Sequence, residues 1–298
     1  MKSNLLKGII YVAIGAASYG VLAICVKLGV KQGFSTGEIT FSQAFIGFTV
    51  LLLMNLITSV TKRNTAAAKP TIKEKRKLIL GGMPLGLTST FYYLSLQYID
   101  VSICIVLLMQ SVWIGSLMDL IVNKTKPDKS KIVAIIVVLV GTILATNLLN
   151  SEIELNWVGV FWGMLAALSY TFTMSVSNKV ATGYTPQVRS MYMMLGSLIV
   201  VSLIWGYSLS QQFDMSVLWK WGIILAVFGT ILPPLLFTKG FPQTGLGLGS
   251  IVASVELPVS VFAAFLILGE NVNAIQWVGI VLILVAVVLM NLSVLKKE

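Results

Sequence analysis

Residues 8–20 read GIIYVAIGAASYG, and residues 159–171 read GVFWGMLAALSYT. Set 151 positions apart, Gly8, Ala16, Ser18 and Tyr19 fall on Gly159, Ala167, Ser169 and Tyr170. Further along, Pro84 falls on Pro233 at an offset of 149, and Gln110 on Glu256 at 146. The offsets shrink in chain order, as small loop deletions in one copy would produce. Together they describe an internal duplication, with a first copy over 1–150 and a second over 151–298.

The composition says where such a duplicated chain can live. The 298 residues are 57% apolar and 11% charged, with a mean hydropathy of +0.91. Soluble domains carry roughly a quarter charged residues. The water-facing surface of one or two domains needs more charge than this chain supplies. An ordinary cytosolic enzyme, a disordered chain and a secreted disulfide scaffold are excluded. The absence of histidine removes Ser-His-Asp triads and His-ligated zinc. Cys25 and Cys104 form no CxxC pair, so a thiol redox or cysteine zinc centre is not expected. Gly245 to Gly249 reads GLGLG, which lacks the GxGxxG spacing, and no GxxxxGK[ST] loop occurs. The expectation is an all-α, polytopic membrane protein with no metal, no cofactor, no ATP motor and no catalytic constellation; it is not expected to be an enzyme.

A membrane helix needs about 20 mostly apolar residues. Ten stretches qualify: roughly 8–29, 39–60, 78–98, 101–122, 132–149, 157–178, 190–208, 217–237, 247–268 and 274–294. The first follows Lys2 and Lys7 like a signal peptide, but its length of about 22 residues suits a retained helix. With the N-terminus in the cytoplasm, 18 of the 21 basic residues fall on the cytoplasmic side. Only Lys27, Lys31 and Lys220 fall outside. Positive residues are retained on that side during insertion, so both termini are expected in the cytoplasm. This asymmetry accounts for the net charge of +10 without nucleic acid, and the basic run Lys73 to Lys77 suits anionic headgroups. Five spans per copy is an odd number, so the second copy enters from the opposite face. Inverted repeats of this kind are a recurring plan of secondary transporters.

The most specific stretch is Ser254 to Leu289, SVELPVSVFAAFLILGENVNAIQWVGIVLILVAVVL. It resembles the second-repeat pattern of the drug/metabolite transporter superfamily, in its EamA branch. That pattern has Glu-x-Pro, a run of small and apolar residues, Gly-Glu, and a glycine in the last helix. The matching positions are Glu256, Pro258, Gly269, Glu270 and Gly279. The first half departs, with Gln110-Ser111-Val112 in place of Glu-x-Pro and Asn123-Lys124 in place of Gly-Glu. The resemblance implies a ten-helix permease that exports or carries small organic solutes. Members handle amino acids, metabolites, nucleotide sugars and drugs, so the substrate does not follow from the fold.

Four charged residues fall inside the spans. Lys27 and Lys220 lie near outer ends, from which they can snorkel to the interface. Asp119 lies four residues from a cytoplasmic end, within reach of water, Lys124 or Lys126. Glu256 is near mid-bilayer, where a charge costs several kcal/mol unless it faces other helices or a cavity. Gly249, Ala253, Glu256, Ser260 and Ala263 share one helical seam. Glu256 is either a hydrogen-bonded staple in that seam or a substrate-amine or proton-coupling site. With it, Tyr19, Tyr92, Gln110, Trp162 and Tyr170 are candidate substrate-pathway residues, offering rings for an amphiphilic solute and polar tips to orient it. The alternative for these is interhelical hydrogen bonding alone. Pro84, Pro233 and Pro258 interrupt backbone hydrogen bonding and are hinge candidates.

The expected partners are a small-molecule substrate and the lipid bilayer, with no nucleic acid. The oligomeric state stays open, a monomer being compatible. The expected location is the cell membrane of a prokaryote. The expected activity is secondary active or facilitative transport, in the export direction, by alternating access; the alternative is a flippase of lipid or lipid-linked sugar.

Overall fold

Local signals fix the helix starts. Thr71 and Glu74 form a capping box, Thr71 Oγ1 accepting from Glu74 N at 3.3 Å and Glu74 Oε2 accepting from Thr71 N at 2.9 Å. Ser35 and Glu38 repeat that arrangement. Asn156 caps Val158 and Gly159, and Thr185 caps Val188 ahead of Pro186 at the first helical position.

A computed structural model of the chain describes residues 2–61, 70–124, 129–145, 156–270 and 272–297. Among them there are helices and no strands. The first three spans are α1 (Lys2–Lys31), α2 (Thr36–Thr61) and α3 (Ile72–Ser95). The fourth is broken into α4 (Val101–Leu108) and α5 (Ser111–Asn123), and the fifth is α6 (Lys129–Ala145). The sixth and seventh are α7 (Trp157–Lys179) and α8 (Pro186–Gln211). The eighth runs from Leu218 through a π-helical turn, α9 (Ile223–Ala226), a second π-helical turn (Val227–Ile231) and the first part of α10 (Leu232–Ala253). Gly245 turns the chain inside α10 with φ 73° and ψ 165°, a conformation that an L side chain resists, and the ninth span begins there. It continues through α11 (Glu256–Ala263) and a π-helical turn (Ala264–Leu268); α12 (Ala274–Lys297) is the tenth.

Among the described residues five helices are long and apolar enough to cross a membrane by length and composition, and four shorter apolar helices accompany them. Side chains such as Leu203, Ile121 and Ile57 stand exposed on the outer surface. So much apolar surface on one molecule calls for a lipid environment.

Three spans differ from the sequence expectation: the eighth, the fourth, and the ninth, which is broken as the fourth is. The eighth span does not stop at 237; its helix runs through Lys239 to Thr244. Lys239 sits 4.1 Å from the ring centroid of Tyr11, so its charge is accommodated on a helix surface rather than in a loop. The expected fourth span over 101–122 is two helices, not one.

The packing follows the duplication. α1 lies against the end of the eighth span, with Gly8 facing Gly240 and Thr244. Its counterpart α7 lies against the end of the third, with Gly159 facing Tyr98 and Ile99. Ser95 Oγ donates to Gly159 O at 2.7 Å. Ser95 stands 149 positions before Thr244, so the two contacts are equivalent. α3 meets α8 where Gly82 and Gly196 leave no room for a side chain on either helix. α6 and α12 pair through Gly141 and Gly279. Small residues of this kind let backbones close to contact where lipid supplies no hydrophobic driving force.

Arg189, read from sequence as a cytoplasmic connection residue, is 1% exposed. Its guanidinium donates to the carbonyls of Ser177 (2.6 Å) and Val180 (3.0 Å) at the end of α7, and to Thr238 O. Pro242 has no N–H, so it leaves the Thr238 carbonyl without its helical donor. Arg189 fills that place and locks the sixth, seventh and eighth spans together.

Candidate functional site

Both broken spans break in the same way. In the first half, Gln110 N donates to Leu107 O at 3.0 Å and Val112 N to Met109 O at 3.0 Å. In the second, Val255 N donates to Val252 O at 3.2 Å and Leu257 N to Ser254 O at 3.0 Å. These are three-residue bonds that tighten one turn and redirect the axis. Every atom pair in one break has its mate 145 positions on in the other. This register corrects the sequence offset of 146: Ser111, not Gln110, is the structural mate of Glu256. Each opens the helix that follows its break.

Glu256 is 3% exposed. Its Oε2 accepts a hydrogen bond from Tyr170 Oη at 3.0 Å. The Tyr170 ring meets Tyr19 edge-on at 5.9 Å between centroids, and both meet Phe237, at 6.3 and 5.7 Å. Tyr19 and Tyr170 occupy matching positions of the two halves. Their contact therefore lies on the axis that relates the halves.

A cavity of about 360 Å³, its mouth included, opens beside this pair. α1 contributes Tyr19 and Leu22, and α3 contributes Leu85, Thr88, Ser89, Tyr92 and Tyr93. Leu108, Tyr170 and Glu256 complete it from α4, α7 and α11. Tyr92 Oη is buried and has no nitrogen or oxygen partner among the described residues. Tyr93 Oη donates to Gln43 Oε1 at 2.5 Å, which anchors that ring to α2. Gly20 faces the Glu256 carbonyl so closely that a Cβ there would lie 2.8 Å from it. The glycine lets α1 reach the break.

Four of the six substrate-pathway candidates thus meet in one cavity: Tyr19, Tyr92, Tyr170 and Glu256. Gln110 does not line it. Its amide is used locally, Nε2 donating to Val106 O at 3.3 Å and Oε1 accepting from Trp113 Nε1 at 2.8 Å. Trp162 also lies outside the lining, stacked on Phe91 at 5.6 Å. Of the hinge candidates, Pro84 sits inside α3, where its carbonyl accepts from Thr88 Oγ1 at 2.7 Å. Pro233 follows directly on the π-helical turn Val227–Ile231, whose wider bore relieves the clash of its ring with the preceding turn. Pro258 follows the break at Ser254–Val255. The side chain of Asp119 lies outside what the structure describes.

Sequence reasoning notes Tyr93 beside Tyr92 but leaves it out of the pathway, and misses Gln43 and the role of Glu270. Lys27, expected to snorkel, is instead paired: its Nζ lies 3.1 Å from Glu270 Oε1 and 3.3 Å from Asp100 Oδ1. Glu270 also caps the start of α4, accepting from Val101 N (3.1 Å), Ser102 N (3.2 Å) and Ser102 Oγ (2.6 Å). Its burial pushes the carboxyl up, but the Ser102 hydrogen bonds and the Lys27 charge outweigh that and hold it below its ordinary value. The network joins spans one, four and nine across the two halves. The only sequence signal for it is the Gly269-Glu270 pair; Gly269 has φ 68°, which ends the helix and turns the glutamate inward.

A duplicated helical bundle with a tyrosine-lined cavity and a buried carboxyl group beside its axis, in a shell of exposed apolar side chains, is a membrane transporter of small solutes. The model of the EamA-like transporter family matches residues 6–147 and 157–292, and the chain belongs to that family. It is 24% identical over 295 residues to the uncharacterized inner membrane transporter YicL of Salmonella typhimurium (strain LT2), covering 96% of both chains. A solved crystal structure superimposes on 100% of this chain and 99% of its own at a TM-score of 0.73. With 11% identity, that likeness concerns the fold alone.

Proposed function

We propose that this chain exports small organic solutes across the inner membrane of a prokaryotic cell by alternating access. The two halves, 1–150 and 151–298, rock as inverted repeats about the Tyr19–Tyr170 contact. The observation that carries the reading is this contact between equivalent residues beside a mid-span carboxylate and a cavity. A site on the symmetry axis is the one place that both conformations share. The 18-to-3 division of basic residues supports cytoplasmic termini. The Lys27–Glu270–Asp100 network then belongs to the outer end, where it holds spans one, four and nine together. Its release opens that end. Location in an inner membrane is supported by the relative YicL.

The test is reconstitution. The purified protein is screened against a solute library by thermal shift, and each hit is followed by counterflow in proteoliposomes. The reading expects saturable flux, lowered at least tenfold by Glu256→Gln. Flux that is unsaturable, or insensitive to Glu256→Gln and Tyr170→Phe alike, would overturn it.

A further inference from the structure

We infer that the cavity selects organic cations: a solute with one positive centre and an aromatic or aliphatic body. This rests on the reading of the cavity as the solute site. Glu256 receives a single hydrogen bond among the described residues, from Tyr170 on Oε2, so its remaining lone pairs are free for a ligand. A carboxyl group withdrawn from water keeps its charge only beside a compensating positive group and otherwise takes up a proton. None is built in, since no lysine or arginine is among the lining residues. Lys27, the basic residue of α1 nearest this depth, is engaged by Glu270 and Asp100.

The walls point the same way. The rings of Tyr19, Tyr92, Tyr93 and Tyr170 present faces that attract cations. The Tyr92 hydroxyl, which has no nitrogen or oxygen partner among the described residues and only the Cys104 thiol beside it, is a second polar contact in the lining. An anion would meet a carboxylate and ring faces of its own sign, which is a built-in rejection. A bare metal ion is equally ill served. Among the described residues no group of three or more Cys, Asp or Glu side chains is placed to hold one. Leucines 22, 85 and 108 supply the apolar surface that an organic body needs.

The test uses three probes of similar size: benzyltrimethylammonium, benzyl alcohol and phenylacetate. Each is titrated into the full chain in nanodiscs, with binding read by calorimetry. Benzyltrimethylammonium is expected to bind at least tenfold more tightly than the other two. Glu256→Gln should weaken it at least tenfold and Glu256→Asp far less. Size exclusion and a melting curve check that both variants fold; if Glu256→Gln does not, Tyr170→Phe and Tyr92→Phe carry the comparison with a smaller expected loss. Phenylacetate or benzyl alcohol binding as well as the cation overturns the inference, as does no binding by any probe or cation binding untouched by the variants. If a neutral or anionic probe binds and the lining variants abolish it, the cavity remains the solute site and only the charge class is wrong. If saturable flux in the library screen ignores every lining variant, the cavity itself is not the site.

Discussion

The fourth and ninth spans are the same device built twice with different chemistry. Both tighten into three-residue bonds at positions 145 apart, and both restart a helix at the bundle centre. The second opens on Glu256, and the first on Ser111. The second carries Pro258 two residues later, while the first carries Trp113 at that place. A break that forms without proline in one half is not caused by proline in the other. The difference teaches that the duplication supplies the geometry, whereas single side chains within it supply the charge. Function is therefore expected to be asymmetric on a nearly symmetric frame.

Substitutions at matching positions should expose that asymmetry, and the largest contrast is at the helix starts. Glu256→Gln is expected to lower flux at least tenfold in proteoliposomes, and Ser111→Ala by less than about threefold. Equal losses would mean that both halves bind solute alike. The next contrast is between the paired tyrosines. Tyr170→Phe removes a hydrogen bond to a carboxylate, worth about 1.5–3 kcal/mol, and should weaken solute binding several-fold. Tyr19→Phe keeps the ring contact and should change it little, as titration of both variants will report.

Stability tests come third. Glu270→Ala strips Lys27 and the start of α4 of one shared carboxylate, which should cost on the order of 2 kcal/mol in unfolding free energy. The pH dependence follows from the depressed carboxyl of Glu270. Its contribution is complete above the ordinary value of 4.5 and is lost as pH falls through the lower folded value. The melting temperature of the parent should therefore fall on acidification below that point, and that of Glu270→Gln should fall less. The smallest effect is expected at the proline. Pro258→Ala should leave flux within about threefold and stability within about 1 kcal/mol, because the break it follows also forms in the half that lacks it. A large loss would restore Pro258 as a hinge.

Much of this architecture is legible in the amino-acid sequence alone. Apolar windows mark the spans because lipid demands them. Tyr19 and Tyr170 are picked out by their repeat positions, and symmetry brings equivalent residues together on its axis. Glu256 stands out because a carboxylate at that depth is costly. The paired breaks are not legible, since three-residue bonds need no special residue and Pro258 marks only one of them. Gln110 is misplaced by a register error of one residue, which rotates a side chain by about 100° around a helix. The Lys27–Glu270 pair joins positions 243 residues apart, and no local pattern announces a contact of that range.

The central claim is that one cavity is shown to each side of the membrane in turn. Its most direct measurement is labelling of Ser89→Cys, in a background with Cys25 and Cys104 replaced by serine, by a membrane-impermeant maleimide in right-side-out and inside-out vesicles. The account predicts labelling from both faces. It further predicts that a bifunctional crosslink between Lys27→Cys and Glu270→Cys, installed before the probe, abolishes labelling from the outer face alone. Labelling from a single face under every condition, or loss at both faces after the crosslink, would contradict it.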